Sequence, residues 1–213
     1  MQLNSIANSE PGQVYWRAVR RLFVSLRTGR RTLYSVVLFA LAFHACSGKA
    51  WAQSAVDEYH VKAAFLFHFA QLVEWPSDSP NLGGNSLLLC TLGDDPFHGE
   101  LDNTVAGKQI GSRILRIRHL GNFPDTHDCN LLFISKGEGD RIPALLESLR
   151  NAPVLTVGDA DGFLAAGGMI RLFLDGNKVR FEINRQAAET ARLRFSSQLL
   201  LLAKNVVGGN GRK

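Results

Sequence analysis

The chain has 213 residues, 46% of them hydrophobic and 20% charged, with a formal net charge of +5. That length allows one domain of ordinary size and something extra. The positive charge is confined to the N-terminus, so it does not mark a nucleic-acid-binding domain, which needs a basic face of its own.

Residues 1–31 carry Arg17, Arg20, Arg21, Arg27, Arg30 and Arg31 against one acid, Glu10. Leu33–Phe43 (LYSVVLFALAF) is apolar apart from Tyr34 and Ser35, and Ala50-Trp51-Ala52 follows. A basic region, a short apolar run and an A-x-A site describe a secretory leader, so residues 1–52 are expected to be a cleaved signal peptide and residues 53–213 the mature domain. The apolar run is shorter than the about 20 residues a bilayer span needs. Cys46 as a lipoprotein cysteine is disfavoured by the bulky Phe43 and polar His44 before it. The pairs Arg20-Arg21 and Arg30-Arg31 are compatible with a twin-arginine route. The length of the leader is also compatible with a start codon placed too far upstream. The leader takes seven of the 24 basic and one of the 19 acidic residues, leaving the rest at a net charge of about −1.

Residues 56–74 read as a helix. Ser77–Asn85 is a loop by its Pro, Gly, Asn and Asp content. Ser86–Leu92 (SLLLCTL) suits a buried strand, and Asp94-Asp95-Pro96 is expected to open a short helix. After a turn at Gly107–Gly111, Arg113–Arg118 reads as a partly exposed strand and Asn130–Ser135 (NLLFIS) as a buried one. Within Gly139–Arg150, Ile142, Leu145, Leu146 and Leu149 recur at helical spacing. Pro153–Val157 is a third buried strand. Met169–Leu174 and Val179–Ile183 flank Asp175-Gly176-Asn177-Lys178, a hairpin signal. Asn184 is a candidate N-cap for one or two final helices reaching Val206. Apolar strands alternating with helices predict a single compact α/β domain. Its sheet should be mixed but mostly parallel, with helices on both faces and an antiparallel hairpin toward the C-terminus.

No catalytic or metal motif is expected. The chain has no G-x-S-x-G, H-E-x-x-H or C-x-x-C, and no two of His60, His68, His98, His119 and His127 lie three or four residues apart. Asp159-Ala160-Asp161-Gly162 lacks the remaining acids of a calcium loop and reads as a turn. Ser135-Lys136-Gly137-Glu138-Gly139 joins a buried strand to a helix, where backbone amides and Lys136 could hold an anion, or where the glycines merely make the connection. Gly167-Gly168 reads as tight backbone before the next strand. Cys90 and Cys129 remain after the leader. Taking their strands as parallel offsets the two by about four rises of 3.3 Å, beyond the about 7 Å that a disulfide spans. Cys90 is therefore expected to be a buried thiol and Cys129 one reachable by oxidants or another thiol, with an internal Cys90–Cys129 bridge as the lesser alternative for these two redox or disulfide candidates.

On a helical wheel of about 100° per residue, His60, Phe67, Gln71 and Glu74 share one narrow stripe. The rest of the circumference is mostly apolar, so this is a buried helix and not a membrane span. Phe67 within the polar stripe makes these four residues candidate partner contacts.

Several stretches, in order, resemble the YfiR-like periplasmic proteins. These are Val61–Ala70 (VKAAFLFHFA) ending at Val73-Glu74-Trp75-Pro76, Cys90–Phe97, Gly107-Lys108, Cys129–Ser135, Val154–Val157 to Gly162-Phe163, Gly167–Ile170 and Val179–Asn184. The resemblance implies a periplasmic regulator without catalysis or cofactor. It would bind the periplasmic sensor domain of a membrane-bound diguanylate cyclase of the YfiN type, or another membrane sensor protein, and repress cyclic-di-GMP output. It also implies a homodimer and a fold kept by a disulfide. The family's pair joins the position of Cys129 to a cysteine a few residues upstream, and Arg118–Asp128 contains none. Two other readings stand beside it: a small-ligand-binding protein using Ser135–Gly139 and Gly158–Gly168, and a hydrolase whose site assembles from distant residues.

Overall fold

The computed structural model describes residues 49–121 and 124–208, with side chains from residue 58 onward except that of Pro124; the expected leader falls almost wholly outside them. Helix α1 runs Lys49–Leu72 and gives way to a two-residue strand, β1 (Val73–Glu74). Then come β2 (Ser86–Leu92), α2 (Glu100–Val105), β3 (Gln109–Ile110), β4 (Arg113–Leu120), β5 (Leu131–Ile134), α3 (Ile142–Ser148), β6 (Leu155–Gly158), β7 (Ile170–Asp175), β8 (Lys178–Asn184), α4 (Arg185–Thr190), β9 (Arg194–Phe195), α5 (Ser197–Leu202) and β10 (Asn205–Val207). Three 3-10 turns, Pro80–Leu82, Pro124–Asp128 and Lys136–Arg141, serve as connectors.

Eight strands form one sheet in the order β10-β8-β7-β6-β5-β2-β4-β3. The pairs β4–β2, β2–β5, β5–β6, β6–β7 and β10–β8 are parallel; β7–β8 and β3–β4 are antiparallel. The expected α/β class, the mixed and mostly parallel sheet and the hairpin are all present. The hairpin closes where expected, with Asp175 opposite Lys178 and Gly176 at φ 60°, a conformation that glycine adopts without strain.

The central strands are apolar throughout because the sheet is covered on both faces. Alternate residues Leu87, Leu89, Leu131, Phe133, Leu155 and Val157 join the core beneath α1, whose Ala63, Leu66, Phe69 and Ala70 are buried there. Burying a Leu or Phe of this kind contributes about 1.5–3 kcal/mol. Cys90, Leu92, Leu132 and Ile134 point the other way, against Ile142, Leu145, Leu146 and Leu149 around α3. Edge-to-face contacts link Phe65 and Phe69 to Phe181, and Tyr59 to Phe97 to Phe133.

Three local expectations change. Asp95 does not begin a helix: its Oδ1 accepts from the Phe97 amide at 2.9 Å, a side-chain-closed turn, and α2 starts only at Glu100 after Gly99 at φ 85°. Helix α1 stops at Leu72 because Val73 and Glu74 pair with Phe195 and Arg194. The C-terminal segment is not helical to Val206. Asn184 does cap α4, accepting from Ala187 N at 3.1 Å, but Arg192 at φ 60° ends that helix, Ser196 caps a new one, and the chain returns to the sheet as β10.

Candidate partner-binding surface

The cysteine pair is the largest departure from the sequence reading. Cys90 and Cys129 form a disulfide, with Cα atoms 5.9 Å apart and both residues fully buried. The offset of four rises assumed that Cys129 continues its strand. Instead Cys129 closes the Pro124–Asp128 turn, its amide donating to Thr126 O at 3.2 Å, and β5 pairs only from Leu131. The turn brings Cys129 into the core cluster on the face toward which Cys90 points. Neither sulfur is presented to oxidants.

The α1 stripe is partly dispersed. His60 is exposed and pairs through Nδ1 with Glu100 at 3.0 Å. Gln71 is exposed beside His68, at 3.2 Å. Glu74 is exposed on β1 and not on the helix. Phe67 is half-buried against the core and capped by Lys108 Nζ, 4.3 Å from its ring centre. It is therefore not the projecting aromatic that the wheel suggested; among the described side chains of α1 the exposed large apolar residue is Val61, at 41%.

The connection at Ser135–Glu138 is already filled from within. Asp159, following β6, accepts from Lys136 N at 2.9 Å with Oδ1 and from the Tyr59 hydroxyl at 2.8 Å with Oδ2. Lys62, only 2% exposed, reaches Asp159 Oδ2 at 2.7 Å and Glu58 Oε1 at 2.5 Å. Burial, reinforced by the Asp159 charge, pushes the Tyr59 phenol above its ordinary range. Ser135 Oγ caps Gly137 N, and Glu138 lies against Gly93 and pairs with Arg141 at 3.0 Å. The amide that would receive an anion thus holds a carboxylate of the protein itself, and this group of residues ties α1 to the carboxyl ends of β5 and β6. Gly158 and Gly168 flank the Phe163 ring, and a Cβ on either would fall 2.4 or 2.2 Å from it. These glycines serve packing, and Phe163 is 1% exposed between them.

The surface that sequence reading missed lies at the β10 edge. Leu201 is 85% exposed, Leu202 58%, and Val206 and Val207 38% each. Helix α5 seats only Leu199 fully in the core. β10 has β8 on one side and no strand on the other among the described residues. Natural edge strands are normally protected by charge, proline or a covering segment. Asn205-Val206-Val207 has neither charge nor proline, and the flanking Lys204 is paired with Asp175 at 2.6 Å. An uncharged apolar edge with leucines beside it is the anatomy of an interface core. The available signal was the run Leu199–Leu202, longer than one buried helix face accommodates.

The YfiR/HmsC-like family model matches residues 59–204. The chain belongs to the YfiR/HmsC-like family. The match extends from Tyr59 in α1 to Lys204, just before β10. No curated protein matches the chain. Among solved structures, a conserved domain protein from Vibrio cholerae O1 biovar El Tor is similar over 57% of this chain and 55% of its own, at 11% identity and a TM-score of 0.45. An ABC domain from Streptococcus pneumonia, crystallised with L-Trp, is similar over 67% of this chain and 59% of its own, at 9% identity and a TM-score of 0.46. The chain thus spans little more than half the length of those two. YfiR-like proteins are periplasmic regulators of cyclic-di-GMP signalling that act with membrane sensor proteins, and the family is non-catalytic.

Proposed function

We propose that this protein is exported by its first 52 residues and, as the domain 53–213, binds the periplasmic sensor domain of a membrane-bound diguanylate cyclase, holding it inactive and lowering cyclic-di-GMP. Membership of the YfiR/HmsC-like family over residues 59–204 carries this reading. The apolar β10 edge supports it, because Leu201, Leu202, Val206 and Val207 offer a binding surface without requiring any charge to be desolvated. His60, Gln71 and Glu74 would lie at the rim of a second contact on α1, and a homodimer would be the acting species. Ligand binding at Ser135–Glu138 is the weaker reading, since a small anion would have to displace Asp159 from Lys136 N.

The test is co-purification with the periplasmic domain of a cyclase encoded beside this gene. Deletion should raise cyclic-di-GMP, and Leu201→Glu with Leu202→Glu should abolish the complex while leaving the melting temperature unchanged. Absence of a complex at micromolar protein, with cyclic-di-GMP unaltered by the deletion, refutes the proposal.

A further inference from the structure

The opposite edge of the sheet has different chemistry. β3 pairs only with Arg113 and Ile114 of β4. Leu115 N donates outward to Lys108 O, whereas Ile114 N donates inward to Asn85 O. In a strand that alternation continues, so the N–H and C=O of Ile117 and His119 face away from β2, with no strand beside them among the described residues.

The broad face of β4 on the α3 side is also open from Ile114 to Arg118, while Leu120 at its end is buried. Ile114 is 41% exposed, and Arg116 and Arg118 are exposed. They stand across from Ser86, Leu88 and Cys90 of β2, and Leu88 is itself only half-buried. Arg116 has no acidic partner among the described residues, and Arg118 has only Asp128, at 3.7 Å and largely solvated. The two guanidinium groups project from the same face two residues apart, about 7 Å along the strand. Arg113, Arg116 and Arg118 place three bases on this one strand, against Asp128 beside Arg118 and Asp102 beside His119.

Charge decides what can dock here. A second copy of β4 laid alongside would set arginine against arginine, which disfavours self-pairing. An extended segment with acids at every second position would place its carboxylates at the spacing of Arg116 and Arg118. Its backbone would pair with Ile117 and His119, and its remaining side chains would lie over the other face of the edge. We infer that the free edge of β4 is a strand-addition site for an acidic extended protein segment, selected by Arg116 and Arg118. This site is separate from the β10 edge and does not depend on the cyclase being the partner.

The experiment uses a fluorescent nonapeptide alternating Glu with Val and Thr, the same peptide with Lys for Glu, and polyphosphate as a competitor without a peptide backbone. The acidic peptide should bind the purified protein saturably, the lysine peptide should not, and amide resonances of Ile117 and His119 should shift and gain exchange protection. Arg116→Glu with Arg118→Glu should weaken binding about tenfold or more while leaving the melting temperature and the β10-edge interaction unchanged. Four results each overturn the site: no binding at hundreds of micromolar peptide, binding indifferent to the double substitution, unmoved Ile117 and His119 amides, or polyphosphate competing as well as the unlabelled peptide. The last would leave only an anion patch.

Discussion

Removing the Cys90–Cys129 bridge, by Cys90→Ala with Cys129→Ala, should be a costly perturbation of this fold. The bridge closes a loop of sequence separation 39. The chain-entropy relation for a loop of that length gives about 4 kcal/mol of stabilisation, through restriction of the unfolded state. For a domain of this size each kcal/mol corresponds to about 2–4 °C, so the melting temperature should fall by about 8–16 °C. Trp75 is the only tryptophan in residues 53–213, and its Nε1 donates to Asn130 O at 3.2 Å, next to Cys129 in the chain. Urea unfolding followed by Trp75 fluorescence therefore reports directly on this corner. The variant should also unfold with a steeper denaturant dependence, because its unfolded chain is less constrained. Since both cysteines are fully buried, reduction of the native protein should proceed at the rate of opening. That rate should be independent of dithiothreitol concentration at high reductant and accelerate with urea. A variant within about 1 kcal/mol of the parent would refute the loop argument, and a reduction rate that sub-denaturing urea leaves unchanged would refute the burial argument.

Lys62→Met should destabilise by about 3–5 kcal/mol, since it leaves Asp159 buried without its cation; Lys62→Met with Asp159→Asn should recover part of this, measured by denaturation. Tyr59 is the only tyrosine of residues 53–213, so absorbance at 295 nm reads its titration directly, and the midpoint should lie above the ordinary value of about 10. Because the folded state holds that proton more tightly, this contribution to stability is complete below about pH 10 and declines as pH rises toward the folded value; Tyr59→Phe should flatten that alkaline decline in melting temperature. Gly168→Ala should cost about 1–3 kcal/mol by driving a methyl into Phe163, and Phe163→Leu in the same chain should recover part of the loss. Phe67→Ala should lower stability by about 1–3 kcal/mol and leave cyclase binding nearly intact, because the ring packs inward beneath Lys108.

The elements whose signals are local were legible in the amino-acid sequence. Ser86–Leu92, Asn130–Ser135 and Pro153–Val157 read as buried strands because a sheet covered on both faces demands side chains apolar in every position. The Asp175–Lys178 hairpin and the Asn184 cap follow from backbone preferences that act within four residues. The α/β class and the likeness to the YfiR family follow from the order of such pieces. What depended on register and on distant neighbours was not legible. Cys90 meets Cys129 because the Pro124–Asp128 turn carries Cys129 over the sheet face, which no spacing along the chain encodes. Phe67 turns inward because Lys108, 41 positions later, covers it. Lys136 N is occupied because Asp159 returns to it from the next strand. Val206 and Val207 lie at a surface because β8 takes β10 as its outermost neighbour. A sequence states which residues prefer to be buried or extended, but pairing across the fold decides which side chains meet and which edges stay open.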